Sequence, residues 1–191
     1  MIKQALTSTI SLHKIANKIV NAPSHTRFEQ PVKMTRKQVL MKKCLRMMLN
    51  VAKSGEGALI VFGPCNEFET LFPNFFRQQD YNILDEGLDK VVEKLACVDG
   101  AVVIDHTGLV KAYGARILAQ KNFQGKGTRH SAACGISHKR GVLAFIASEE
   151  DGLVRVFKEG SPIIQLNPFN PTSKHGLNQV VNFIERSDLL P

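Results

Sequence analysis

A chain of 191 residues in which 43% are hydrophobic has the size of one domain and the apolar material for a buried core. Its 25 Lys and Arg against 17 Asp and Glu leave a formal charge of +8, which favours anionic partners (nucleotides, nucleic acid or an acidic membrane surface) without choosing among them. Four scattered cysteines with no Cys-x-x-Cys pair argue for a reducing, cytoplasmic setting and against a zinc site, and no apolar run is long enough to cross a bilayer.

In chain order, residues 1–21 read as an amphipathic helix with Ile2, Leu6, Ile10, Ile15 and Ile19 near one side. It lacks aromatic anchors, so a packing role is favoured over a membrane-surface or targeting segment. Ala22-Pro23-Ser24 breaks it, and the stretch to Pro31 reads as a linker. Residues 1–30 therefore form an N-terminal helical extension and residues 31–191 the main domain. Thr35 is placed to cap a second helix running to about Lys53. Val39, Leu40, Leu45, Met48, Leu49 and Val51 make its apolar stripe, and Lys37, Lys42, Lys43 and Arg46 a charged, solvated side.

Residues 58–62, a short apolar run closed by Gly63-Pro64, read as a buried strand. Phe68, Phe72, Phe75 and Phe76 follow in an irregular segment and are assigned to core packing rather than base stacking, since few basic residues accompany them. Asp80 or Asn82 caps a helix to Cys97, with Ile83, Leu84, Leu88, Val91, Val92 and Leu95 facing the core. Residues 101–104 and 109–113 form a hairpin around Asp105-His106-Thr107-Gly108. A helix over residues 131–137 follows a glycine-flanked loop and ends at His138-Lys139-Arg140-Gly141. Residues 142–147 and 153–157 make a second hairpin around an acidic turn, residues 163–166 a last strand, and residues 177–186 a closing helix. Strands joined both by hairpins and by helices imply an α/β fold with a mixed, parallel and antiparallel, central sheet flanked by helices.

The loop Gly125-Lys126-Gly127-Thr128-Arg129-His130-Ser131 carries the main chemical signal. Its glycines let backbone amides approach a ligand, and the following helix start favours an anion. Thr128 adds a hydroxyl, Arg129 a bidentate fork, and His130 a group that donates a hydrogen bond, accepts a proton or binds metal. It is not a Walker loop. Asp99 opens one strand, and Glu149, Glu150 and Asp151 close another; such carboxylates can bridge a hard divalent cation to phosphates. A solvated turn capping a helix, a helix-ending aspartate and a charged hairpin turn are the competing structural readings.

Taken in order, Asp99-Gly100-Ala101, then Gly127-Thr128-Arg129-His130 ahead of Ala132-Ala133, then Ser148-Glu149-Glu150 resemble the diadenylate cyclase domain, across roughly residues 57–160. The resemblance implies a diadenylate-cyclase-like fold and condensation of two ATP into cyclic di-AMP with release of two pyrophosphates, at sites of two subunits that meet face to face. It implies Asp99, Arg129 and His130 as catalytic residues. Gly100, Ala101, Ile117, Gly127, Thr128, Arg129, His130, Ser131 and Ser148 would contact the nucleotide, with Ile117 along the adenine. Asp99, Glu149 and His130 would meet a divalent metal, Mg²⁺ or Mn²⁺, with Co²⁺ as a third option.

The chain departs from that family at Ser131, where an arginine is usual. Lys126, Arg116 and Arg140 are the cations available to replace it, and Ser131 is itself a potential helix cap. The segment 115–124 lacks the Leu-Pro-type stretch of bacterial members. Two other readings therefore stand beside an active, homo-oligomeric cyclase: a non-catalytic nucleotide-binding module, motivated by Ser131, and a basic nucleic-acid-binding protein, motivated by the charge of the second helix and less favoured.

Overall fold

A computed structural model describes residues 33–64, 76–77, 81–118, 121, 127–170 and 174–186. The expected N-terminal extension and Phe68, Phe72 and Phe75 lie outside them. Helix α1 (Arg36–Lys53) begins as its sequence dictates: Thr35 accepts a hydrogen bond from the Gln38 amide while the Gln38 side chain accepts one from the Thr35 amide, a complete capping box. Strands β1 (Ala58–Gly63) and β2 (Phe76–Arg77), helix α2 (Leu88–Cys97), and strands β3 (Ala101–Asp105) and β4 (Val110–Ala115) follow. Helix α3 (Thr128–Ile136), strands β5 (Leu143–Ala147), β6 (Val154–Lys158) and β7 (Ser161–Leu166), and helix α4 (Lys174–Arg186) complete the order.

The described strands form one seven-stranded sheet, ordered β2-β4-β3-β1-β5-β6-β7. β1 runs parallel to β3 and antiparallel to β5, and every other described pairing is antiparallel, so the sheet is mixed as the hairpins implied. β1 is buried along its whole length because it is covered on both faces. Alternation divides its apolar run between two cores. Ala58, Ile60 and Phe62 join Val102, Ile104 and Phe145 beneath α1 and α4, whereas Leu59 and Val61 join Val103, Ala144, Ile146 and Phe157 beneath α3.

Three expectations change. On α1, Val39 is 39% exposed, and the charged side is not wholly solvated: Lys42 is buried and donates to Asn178 of α4. α2 starts at Leu88 rather than at Asp80 or Asn82. Asn82 instead bridges to Leu109, its side chain accepts from the Leu84 amide, and Gly87, with φ +77°, makes the turn into the helix. Val92 and Ala96 then face the core, leaving Leu84 and Val91 exposed. α3 starts at Thr128, three residues before the expected position, with Gly127 as its N-cap.

Candidate functional site

The register of three central strands explains how distant segments meet. β1 and β3 are parallel, with Ile60 opposite Val102, so extending the pairing backwards sets Gly57 beside Asp99. β5 runs the other way, with Ala58 opposite Ala147, so the residue after its end, Ser148, also falls beside Gly57. Two strand starts and one strand end thus share an edge. The N-terminus of α3 lies over it, since its first residues line the same hollows as Asp99 and Ser148. The amides of Thr128 and Arg129, the first of α3, have no acceptor within the helix, which suits them to an anion.

Two neighbouring hollows open there. The larger, about 350 Å³, is lined by Asp99, Gly100, Gly114, Arg116 and Ile117 on one side and by Thr128, Arg129 and Ala132 on the other. That is within the range of small-ligand sites. The smaller, about 150 Å³, is lined by Gly127, Thr128, Arg129, His130, Ser148, Glu149 and Glu150. Thr128 and Arg129 line both, joining them into one groove. Asp99 is exposed, Ile117 is buried, and Arg129 is half-buried. Ser148 is 3% exposed, and its hydroxyl has no hydrogen-bond partner among the described residues. A buried hydroxyl without a partner is costly, which suits a site completed by a polar ligand.

The acidic turn after β5 is divided. Glu149 lies 3.7 Å from the Arg129 guanidinium. Asp151 instead turns away to a two-pronged ion pair with Arg155, at 3.1 and 2.6 Å. Arg155 also donates to Gln165 at 3.0 Å and to Nε2 of His130 at 3.2 Å. His130 is buried, with its ring edge-on to Phe157. No three Asp, Glu, His or Cys side chains among the described residues come together to hold a metal unaided. Cys97, at the end of α2, is pushed up to about 11 by burial and then by the Glu56 carboxylate, with Lys94 and Arg129 acting weakly the other way.

Of the residues expected at the site, Asp99, Gly100, Ile117, Gly127, Thr128, Arg129, His130, Ser148 and Glu149 line the groove. Ala101 and Ser131 line neither hollow. Ala101 is buried in β3 opposite Ala115, and Ser131 sits one turn inside α3, so it is not the cap. Gly100 has a structural duty as well: with φ +96°, any Cβ there would sit 2.5 Å from the Gly114 backbone. Among the substitute cations, Arg116 lines the larger hollow, Arg140 lies beyond the far end of α3, and Lys126 is outside the described residues. Sequence reading missed Gly57, where a Cβ would come within 2.5 Å of the Arg129 guanidinium and 3.2 Å of Glu149. It also missed Arg155; a lone arginine in an alternating strand gives no signal until its neighbours are known.

Comparison with known proteins points the same way. The family model described as the DisA bacterial checkpoint controller nucleotide-binding domain, DAC, matches residues 46–161. A diadenylate cyclase of Methanocaldococcus jannaschii is 28% identical over 140 residues, covering 67% of this chain and 45% of the relative. One of Haloferax volcanii is 28% identical over 142 residues, covering 68% and 53%. The chain therefore spans about half the length of the curated relatives it matches. A crystal structure of a DacA double mutant from Staphylococcus aureus superposes with a TM-score of 0.57 at 24% identity, covering 81% of this chain and 98% of that one. A hypothetical membrane-spanning protein from Bacillus cereus gives 0.51 at 23% identity, covering 64% and 61%; no helix among the described residues here is long and apolar enough to cross a membrane. With its matched segment enclosing strands β1 to β6 and every residue that lines the groove, this chain belongs to the DAC family.

Proposed function

We propose that the chain is a diadenylate cyclase that condenses two ATP into cyclic di-AMP with release of two pyrophosphates. The observation that carries this reading is the common edge where Gly57, Asp99, the start of α3 and Ser148 meet around one groove. The adenine and ribose lie in the larger hollow, along Ile117 and Gly100. The triphosphate crosses to the smaller one, where the Thr128 and Arg129 amides, the Arg129 guanidinium and the Ser148 hydroxyl hold its oxygens. Charge at the reacting phosphorus is met by donors already in place, which is where such a displacement gains most.

Asp99, exposed at the mouth of the groove, faces the ribose and accepts the 3′-hydroxyl proton. The 3′-oxygen attacks the α-phosphorus of the ATP on a facing copy, the bond to pyrophosphate breaks, and the reciprocal attack closes the ring. One groove holds one ATP, so the reaction needs a second copy. The donor set fits a divalent cation that arrives on the triphosphate: Asp99 and Glu149 offer one carboxylate each, the phosphates supply further oxygens, and an all-protein cage is absent among the described residues. When bound, such a cation neutralises phosphate charge and polarises the reacting phosphoryl group.

The purified chain with ATP and Mg²⁺, Mn²⁺ or Co²⁺ is expected to form cyclic di-AMP, and Asp99→Asn to bind ATP without turnover. A chain that binds ATP and forms no product with any of these metals is the non-catalytic module instead. The nucleic-acid reading loses part of its basis in α1, where Lys42 is spent on Asn178 rather than offered to phosphates. DNA affinity that falls steeply with salt would restore it.

A further inference from the structure

Arg155 is 7% exposed and lines neither hollow, yet it is tied to the groove through His130. It stands on β6 two residues before Phe157, so both side chains project from the same face, the one under α3. His130 meets both: Phe157 edge-on to its ring and Arg155 at its Nε2. A guanidinium has only donors and stays charged. Nε2 must therefore be the accepting nitrogen, and the imidazole carries its proton on Nδ1. A buried arginine needs a counter-charge, and Asp151 supplies it through two hydrogen bonds; Gln165, directly opposite in β7, takes the Nε–H. The contact to His130 is beyond what charge pairing requires.

We propose that Arg155 is a positioning residue for the nucleotide groove: held by Asp151 and Gln165, it locks His130, which lines the smaller hollow, in the Nδ1–H tautomer and fixes the place of its ring. Its effect on phosphate binding rests on the nucleotide reading above; the tautomer itself does not. The arrangement assigns His130 a narrower part than its residue type allows, because a nitrogen already accepting from Arg155 is closed to a metal or a substrate proton.

The test has three parts, all on the full chain. First, ¹⁵N-histidine labelling of the unaltered protein at neutral pH is expected to show His130 protonated at Nδ1 and bare at Nε2; an Nε2–H or doubly protonated ring overturns the proposal whatever the enzyme does. Second, Arg155→Met is expected to release the tautomer and, by loosening a ring that lines the smaller hollow, to weaken binding of a non-hydrolysable ATP analogue about tenfold. Unchanged affinity with an unchanged tautomer overturns it. Third, in His130→Asn there is no imidazole tautomer to fix, so adding Arg155→Met should cost little further affinity. The same tenfold loss in that background would mean that Arg155 acts by another route. If the unaltered chain shows the expected tautomer but binds no nucleotide, the functional reading fails rather than the lock.

Discussion

Ser148 keeps a hydroxyl buried without a hydrogen-bond partner among the described residues, and that makes opposite demands on stability and binding. Ser148→Ala is expected to leave the ligand-free chain as stable as before or up to about 1 kcal/mol more so, because an unpaired polar group is removed. The same change should weaken ATP-analogue binding about five- to tenfold; urea denaturation and calorimetry would read the two effects separately, and equal losses in both would assign the hydroxyl to the fold. Gly57→Ala tests the groove from beneath. The new methyl group meets the movable end of Arg129 at 2.5 Å and crowds the Glu149 Cβ only at 3.2 Å, so the fold should survive while the guanidinium shifts. A KM for ATP raised about tenfold with an unchanged melting temperature is the expected result. Cys97 and Cys44 carry a pH signature. Burial raises them to about 11 and about 12 from the ordinary 9.0. Folding holds the protons more tightly than the unfolded chain does, so stability from this source is complete below about pH 9 and falls as pH rises towards 11 and 12. Urea midpoints above pH 9 should decline less in Cys97→Ala than in the unaltered chain.

At the scale of elements, what could be read in advance was whatever is decided locally. Thr35 and Gln38 form their capping box from four adjacent residues, so the sequence alone places α1 to within one residue of its bounds. Thr35→Ala should accordingly cost about 1 kcal/mol in thermal or chemical unfolding. The start of α2 was misplaced because Asn82, a good cap by type, is taken by Leu109 and Thr107 across the chain, a contact no local pattern announces. The start of α3 is hidden for the reverse reason: Gly127 caps without a side chain, whereas the more cap-like Ser131 lies one turn inside the helix. Both hairpins were legible from turn residues and alternation, although the β3–β4 pair carries register shifts that alternation does not foresee. Gly100 sits at the entry to that irregular pair. Gly100→Ala combines a left-handed backbone with a backbone collision, and a loss of more than about 2 kcal/mol is expected.

For the whole molecule, the site was legible as motifs and illegible as a place. Asp99, Arg129 and Ser148 belong to separate segments, and only the parallel β1–β3 and antiparallel β1–β5 registers set them at one edge. Arg155 and Gly57 leave no mark in the sequence, because their roles exist only between strands. If turnover requires two grooves face to face, the specific rate of cyclic di-AMP formation should rise with protein concentration and level off as the assembly saturates; a flat specific rate across a hundredfold range would assign the chemistry to a single copy. The middle position of β1 has one more consequence. Pieces recruited from residues 57, 99, 128 and 148 become neighbours only after the chain has laid down strands on both flanks of β1, so nucleotide capture should appear late in refolding, after most secondary structure, and a fragment ending before β5 should be blind to ATP. The ligand would then act as a staple across the middle of the sheet, slowing amide exchange in β1, β3 and β5 together.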